Sequence, residues 1–241
     1  MRVLSIVHER ESGSGVFADT TAQLGHELIE WIPAEGEAPV LDGFGAVLVF
    51  GGGMHVDQES KHGWLENEKH LLRGLLARHT PAFGVCLGAQ LLTKVAGGGA
   101  RRAAVPEIGW KDVRLTPEAA CDPVLGPLPE RFDSFQWHSY AMSTPEGAVA
   151  LAHSATCLQA FRLRAAPWWG IQFHAEVTAQ TIAAWVRDYR SDEDAVRAEL
   201  DWAAILAQTR HEIDRWNELG VGLCRRFLAH AAAETAGRHR D

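Results

Sequence analysis

A cysteine lies at the centre of a glycine-rich segment that reads GVCLGAQLL over residues 84–92. Gly84 and Gly88 flank Cys86 at two residues on either side, between a strand-like apolar run and a helix-like one. A nucleophile at the tip of a sharp strand-to-helix turn needs such small neighbours, because a Cβ at either position would crowd the turn. The start of the helix would also stabilise a thiolate and bind a developing oxyanion. The pattern predicts a reactive Cys86, and a buried structural cysteine is the alternative.

A cysteine nucleophile needs a base, and His174 is the histidine whose context fits that role. It ends the apolar run WWGIQFHAE at 168–176, and Glu176 follows two residues later. In an extended chain, residues i and i+2 point the same way, so the carboxylate can approach the imidazole and fix its tautomer. A surface His–Glu pair is the alternative.

Three glycines, Gly51 to Gly53, follow the apolar run AVLVF at 46–50. A glycine-rich strand end can present backbone N–H groups to an oxyanion or a carboxylate, and a plain turn is the alternative. No G-K-[ST] follows, so a phosphate loop is not expected. The H-x-E at 174–176 lacks the downstream P-C-x-x-C of zinc deaminases. No other metal-ligand spacing is found, and we expect neither a metal nor another cofactor.

Apolar strand-length runs alternate with helical patterns in the first half of the chain, which indicates a mainly parallel sheet covered on both faces. Closely spaced short strands after residue 111 indicate hairpins or a mixed extension of that sheet. The fold class is therefore α/β, with three layers around a mainly parallel, mixed-edge sheet. The predicted strands are 2–8, 27–32, 46–50, 82–85, 113–115, 132–137, 149–153, 158–161 and 169–173, and the predicted helices are 16–25, 64–78, 87–96 and 178–189.

The last fifty residues differ from the rest, and we predict a main domain at 1–190 and a helical extension at 191–241. Apolar residues at three- and four-residue steps predict two helices over 191–232, broken near Gly220–Gly222, followed by a polar tail. These helices either pad the main domain or form a surface for a partner or for self-association.

Composition excludes several classes of protein. The formal net charge of −8 argues against a general nucleic-acid binder. No apolar run reaches the length of a membrane span, and the first residues read as a strand, not a signal peptide. Four scattered cysteines fit a reducing compartment, so the cytoplasm is the expected location.

The glycine loop, the cysteine turn and the H-x-E occur in an order that resembles the class I (triad) glutamine amidotransferases. The similar blocks are VFGGGM, PAFGVCLGAQLL, EIGW, QWHSY and GIQFHAE, within about residues 40 to 190. The resemblance is to stand-alone relatives of the GMP synthetase amidotransferase domain, and it implies a flavodoxin-like fold. It implies a triad of Cys86, His174 and Glu176, and an oxyanion hole from the backbone amides of Gly52 and Leu87.

The same resemblance implies substrate contacts from Gly53, Gln90, Ser139 and Tyr140, whereas His138 is expected to be structural. The family usually has a proline at the position of Gly53, where this chain departs from it. The implied reaction is hydrolysis of the glutamine side-chain amide through a γ-glutamyl thioester on Cys86.

Free ammonia is useful only when an acceptor receives it, and the chain is too short to hold an ATP-dependent synthase domain as well. A separate acceptor enzyme is therefore the expected partner, and a homodimer stays open. Two alternatives remain. The same triad could serve a γ-glutamyl hydrolase or peptidase that needs no partner, or the chain could be a catalytically silent regulatory protein of the same fold.

Overall fold

The computed structural model describes residues 1–238, which form nine strands and six α-helices. The strands are β1 (Arg2–Ile6), β2 (Glu27–Trp31), β3 (Phe44–Val49), β4 (Ala82–Val85), β5 (Ala100–Leu115), β6 (Arg131–Met142), β7 (Ala148–His153), β8 (Leu158–Leu163) and β9 (Trp168–Ile171). The helices are α1 (Gly15–Gln23), α2 (Trp64–Ala77), α3 (Leu87–Val95), α4 (Ala179–Tyr189), α5 (Glu193–Arg197) and α6 (Trp202–Arg238). None of the helices within 1–238 combines the length and the apolar character that crossing a bilayer requires.

All nine strands belong to one sheet, in the order β2-β1-β3-β4-β9-β8-β7-β5-β6. The five strands from β2 to β9 are parallel, and β8, β7, β5 and β6 extend the sheet with antiparallel pairs. The predicted α/β class and the mixed extension are both confirmed.

The side chains of β3 show that helices cover both faces of the sheet. Ala46, Leu48 and Phe50 are buried in the cluster that includes residues of α1, α4 and α6. Val47 and Val49 point into a second cluster with residues of α2 and α3. A strand buried on both faces reads as a continuous apolar run, which is why AVLVF shows no alternation. The three-layer arrangement is confirmed.

Strand β5 is much longer than the three residues predicted at 113–115. It runs for 16 residues and pairs with β6 along most of its length. The pairing register shifts between Arg102 and Glu107, and Pro106 lies within this irregular stretch. A proline is tolerated where the ladder is interrupted, so it does not end the strand here.

The prediction of two helices over 191–232, broken near Gly220–Gly222, is wrong. α5 is a short helix of five residues, and α6 continues through both glycines to Arg238. A Cβ on Gly220 would overlap the carbonyl oxygen of Ala175, so glycine allows close packing here and does not end the helix. α6 buries Leu223 and Phe227 in the core, which supports the packing interpretation. The domain boundary at 190 stays a prediction, and residues 239–241 of the predicted tail lie outside the described residues.

Candidate active site

Three neighbouring parallel strands end at one edge of the sheet, and each leads into a segment singled out from the sequence. β3 leads to the glycine loop, defined here as residues 51–53, β4 leads to Cys86, and β9 leads to residues 172–176. In parallel α/β sheets, sites assemble beyond the carboxyl ends of the strands. The topology therefore brings the three segments together.

Cys86 forms a strained turn between β4 and α3. Its backbone has φ 52° and ψ −111°, a conformation that non-glycine residues rarely adopt. A Cβ on Gly84 would lie 2.7 Å from the amide nitrogen of Ala89, and one on Gly88 would overlap the backbone of Val49. Both flanking glycines are thus required by close packing. The Cys86 side chain is almost fully buried, and its Sγ lies 3.8 Å from the carbonyl oxygen of Trp137.

His174 and Glu176 form a buried pair beside this cysteine. Nδ1 of His174 lies 2.7 Å from Oε1 of Glu176, while Nε2 is buried and has no hydrogen-bond partner in the described chain. Burial by itself would lower the pKa of His174. The charge of Glu176 and the nearby Cys86 sulfur outweigh it and raise the pKa to about 10. The ring is therefore an imidazolium at neutral pH, and a protonated imidazole stabilises a neighbouring thiolate.

The two backbone amides proposed for the oxyanion hole also border this site. Leu87 is the first residue of α3, so its amide has no acceptor within the helix. The amide of Gly52 donates no hydrogen bond to any residue within 1–238. A Cβ on Gly51 would lie 2.9 Å from Cε1 of His174, so the loop approaches the ring as closely as glycine allows.

The predicted substrate contacts line the same cavity, which has a volume of about 400 Å³. Gly53, Gln90, Ser139 and Tyr140 all border it together with Cys86. Two of these groups already have protein partners. Nε2 of Gln90 donates to the carbonyl oxygen of Tyr140 at 3.2 Å, and the amide of Gly53 donates to a carboxylate at 3.0 Å.

Comparison with known proteins identifies the family. The family model described as glutamine amidotransferase class-I matches residues 18–188. The chain belongs to this family. A crystal structure of a glutamine amidotransferase from Thermotoga maritima superposes with a TM-score of 0.84 at 27% identity, covering 94% of this chain and 97% of that one.

Two curated relatives of the amidotransferase carry different names. One is the glutamine-hydrolyzing subunit of GMP synthase from Thermoplasma volcanium, 31% identical over 64% of this chain and 73% of the relative. The other is a gamma-glutamyl-L-1-hydroxyisopropylamide hydrolase of a Pseudomonas species, 28% identical over 61% of this chain. The match spans about half of that hydrolase, 52% of its length.

Sequence reasoning missed one wall of the amidotransferase cavity. Residues 192–195, assigned to the extension, border it opposite the glycine loop. Arg102 on β5 holds this segment through an ion pair with Asp194 at 2.6 Å. The two residues are far apart in the chain, so neither periodicity nor a motif linked them.

A second polar group lies next to the cavity, under His138. The ligand-type atoms of Glu107, His138 and Cys157 lie within 4.8 Å of one another. The same Glu107 oxygen already accepts hydrogen bonds from Ser154 at 3.0 Å and from Gln159 at 2.9 Å. Protein donors thus account for the carboxylate, and the structural role predicted for His138 fits this network.

Proposed function

We propose that this amidotransferase hydrolyses the side-chain amide of glutamine with Cys86 as the nucleophile and supplies ammonia to a separate acceptor enzyme. The observation that carries the proposal is the convergence of a strained Cys86 with the buried His174–Glu176 pair beside two unpartnered backbone amides. This combination provides a nucleophile, an oriented acid–base group and oxyanion donors at one place.

In the proposed acylation step, the Cys86 thiolate attacks the amide carbon and the carbonyl oxygen becomes an oxyanion. The amides of Gly52 and Leu87 stabilise that charge. The His174 imidazolium gives its proton to the leaving nitrogen, so the C–N bond breaks, ammonia departs and a γ-glutamyl thioester remains. Glu176 keeps the ring oriented and stabilises its protonated form.

In the second half of the reaction, neutral His174 takes a proton from water, which attacks the thioester. The C–S bond then breaks, glutamate leaves and the thiolate–imidazolium pair is restored. The overall change is glutamine plus water to glutamate plus ammonia, and no redox partner is needed.

The test is release of ammonia and glutamate from L-glutamine by the wild type, by Cys86→Ala and by Cys121→Ala. Cys121 is an exposed free cysteine, so its variant controls for loss of a thiol elsewhere. We expect turnover in the wild type and in Cys121→Ala, and none in Cys86→Ala. Equal turnover in all three would refute the role of Cys86.

A second candidate is hydrolysis of N-substituted γ-glutamyl amides without a partner. The cavity of about 400 Å³ falls in the range that holds drug-sized ligands, about 300–1,000 Å³, and it extends past the triad to the charged wall at Arg102 and Asp194. The Pseudomonas relative is named for an amide of this kind. A kcat/KM for γ-glutamyl alkylamides well above that for glutamine would favour this candidate. A wild type inactive on both substrates would favour the silent regulatory protein.

A further inference from the structure

The two residues that come two and three positions after β1 hold the glycine loop from its two ends. Nδ1 of His8 lies 3.1 Å from the carbonyl oxygen of Gly51, and a carboxylate oxygen of Glu9 accepts the Gly53 amide at 3.0 Å. Only the amide of Gly52, between these two anchors, is left without a partner among residues 1–238.

His8 is itself held by a buried carboxylate. Its Nε2 lies 3.1 and 3.0 Å from the two carboxylate oxygens of Glu68 on α2, and both side chains are inaccessible to solvent. Its ring stacks on Trp64 with 5.6 Å between the centroids. Burial alone would lower the pKa of His8, but the charge and hydrogen bond of Glu68 outweigh it and raise the pKa. A protonated His8 donates to Glu68 and to Gly51 at the same time.

The geometry of the peptide unit turns this contact into control of the oxyanion hole. The Gly51 carbonyl and the Gly52 N–H belong to one planar trans peptide, so they point in opposite directions. A Cβ on Gly52 would lie 2.8 Å from the Cβ of His8, whereas one on Gly51 would meet His174. The loop therefore runs between His8 and the triad. Fixing the carbonyl on the His8 side directs the N–H away from His8.

Without an anchor, this peptide would have little to hold it. Glycine on both sides of the bond lets φ and ψ rotate with a small steric cost, so the unit could flip and turn its carbonyl oxygen toward the oxyanion. An acceptor in that position would repel the charge that a donor stabilises.

We propose that His8, held by Glu68, is a positioning residue that locks the Gly51–Gly52 peptide with its N–H available to the oxyanion. The proposal rests on the proposed function, because the oxyanion forms only when Cys86 attacks an amide carbonyl. Removing one oxyanion-hole donor costs about 10²–10³ in kcat. Releasing this peptide should lower kcat by up to about that factor, with little change in KM, since the interaction develops in the transition state.

The main test is the double variant His8→Leu with Glu68→Leu, which removes both polar partners and leaves no unpaired buried charge. His62→Leu is the matched control, since the His62 ring also lies 5.6 Å from that of Trp64. We measure kcat and KM for L-glutamine, the melting temperature, and the rate of Cys86 alkylation by iodoacetamide. Alkylation forms no oxyanion, so it reports on the thiolate alone.

We expect kcat to fall about 10²-fold in the double variant, with alkylation within about twofold of the wild type. Two single variants decide the matter if the double variant does not fold. The amide nitrogen of His8→Asn sits near the Nδ1 position and should restore most of kcat. The longer His8→Gln places its amide nearer Glu68 and should not.

The proposal is overturned if kcat is unchanged in a folded double variant, or if His8→Asn and His8→Gln lose the same activity. Parallel losses of kcat and alkylation would also overturn it, because they indicate general damage to the site. A wild type that hydrolyses neither glutamine nor another γ-glutamyl amide would refute the proposed function first. An active wild type with an unaffected double variant would refute only the role of His8.

Discussion

Replacing Gly220 by alanine should disturb the site from the far side of the sheet. A Cβ at this position would overlap the carbonyl oxygen of Ala175, the residue between His174 and Glu176. To restore van der Waals separation, the helix or the strand end must move by on the order of 1 Å. Such a shift falls directly on the pair that orients the proposed acid–base group.

The magnitude follows from two opposing effects. Alanine is favoured over glycine inside a helix by about 1 kcal/mol, whereas overpacking a close contact costs about 1–3 kcal/mol. Gly220→Ala should therefore range from neutral to about 2 kcal/mol less stable. Gly222→Ala is the matched control, since its Cβ would meet only the flexible end of the Arg226 side chain, at 2.9 Å. It should gain about 1 kcal/mol.

Denaturant unfolding measures both stabilities, and glutamine turnover is measured on the same samples. We expect full turnover in Gly222→Ala and a large loss in Gly220→Ala, because misplacement by about 1 Å can cost about 10²-fold. If Gly220→Ala is as stable and as active as Gly222→Ala, the close approach of α6 to Ala175 is refuted.

Two further predictions concern the same pair. Since Glu176 raises the pKa of His174 to about 10, the protonated state persists up to that pH and is lost above it. The alkaline limb of kcat/KM should therefore lie near pH 10 and move to lower pH in Glu176→Gln, and an unmoved limb would contradict this assignment. Nε1 of Trp216 donates to the carbonyl oxygen of His174 at 2.8 Å, so Trp216→Phe should cost about 0.5–1.5 kcal/mol and reduce turnover. Trp31→Phe removes a similar bond at 3.2 Å away from the triad, and it should lower stability without lowering turnover.

Local features of the sequence were sufficient where the interacting groups are close in the chain. The turn at Cys86 is specified by its own neighbours, and His174 and Glu176 are two residues apart. His8 and Glu68 are separated by 60 positions, so no periodicity could pair them. Their contact depends on β1 and α2 meeting at the loop, which is a property of the topology.

The glycines of the extension show a different limit of sequence reasoning. Gly220 and Gly222 suggested a break because glycine is unfavourable inside a helix. Whether a glycine ends a helix or lets it pack closely depends on what lies opposite. For Gly220 that is a backbone carbonyl 45 positions earlier in the chain. The same residue type thus fits both structures, and only tertiary packing distinguishes them.

The departure at Gly53 has a physical counterpart in the contacts of the loop. Proline, usual in the family at this position, would fix φ and remove the N–H. Here the N–H is present, and Glu9 accepts it at 3.0 Å. Side chains after β1 thus supply the restraint that a pyrrolidine ring would give, at the cost of making the loop depend on those side chains.

The contacts of α6 also bear on the division of the chain at residue 190. Trp216 and Asn217 donate hydrogen bonds to the carbonyl oxygens of His174 and Val177, at 2.8 and 2.7 Å, and Gly220 packs against the backbone between those two residues. One face of the helix therefore holds the segment that carries the acid–base pair. We infer that the extension is part of the catalytic framework, and that a chain cut at 190 would expose this segment and lose its alignment. Any acceptor enzyme that binds the extension must then use the opposite, solvent-facing side of α6.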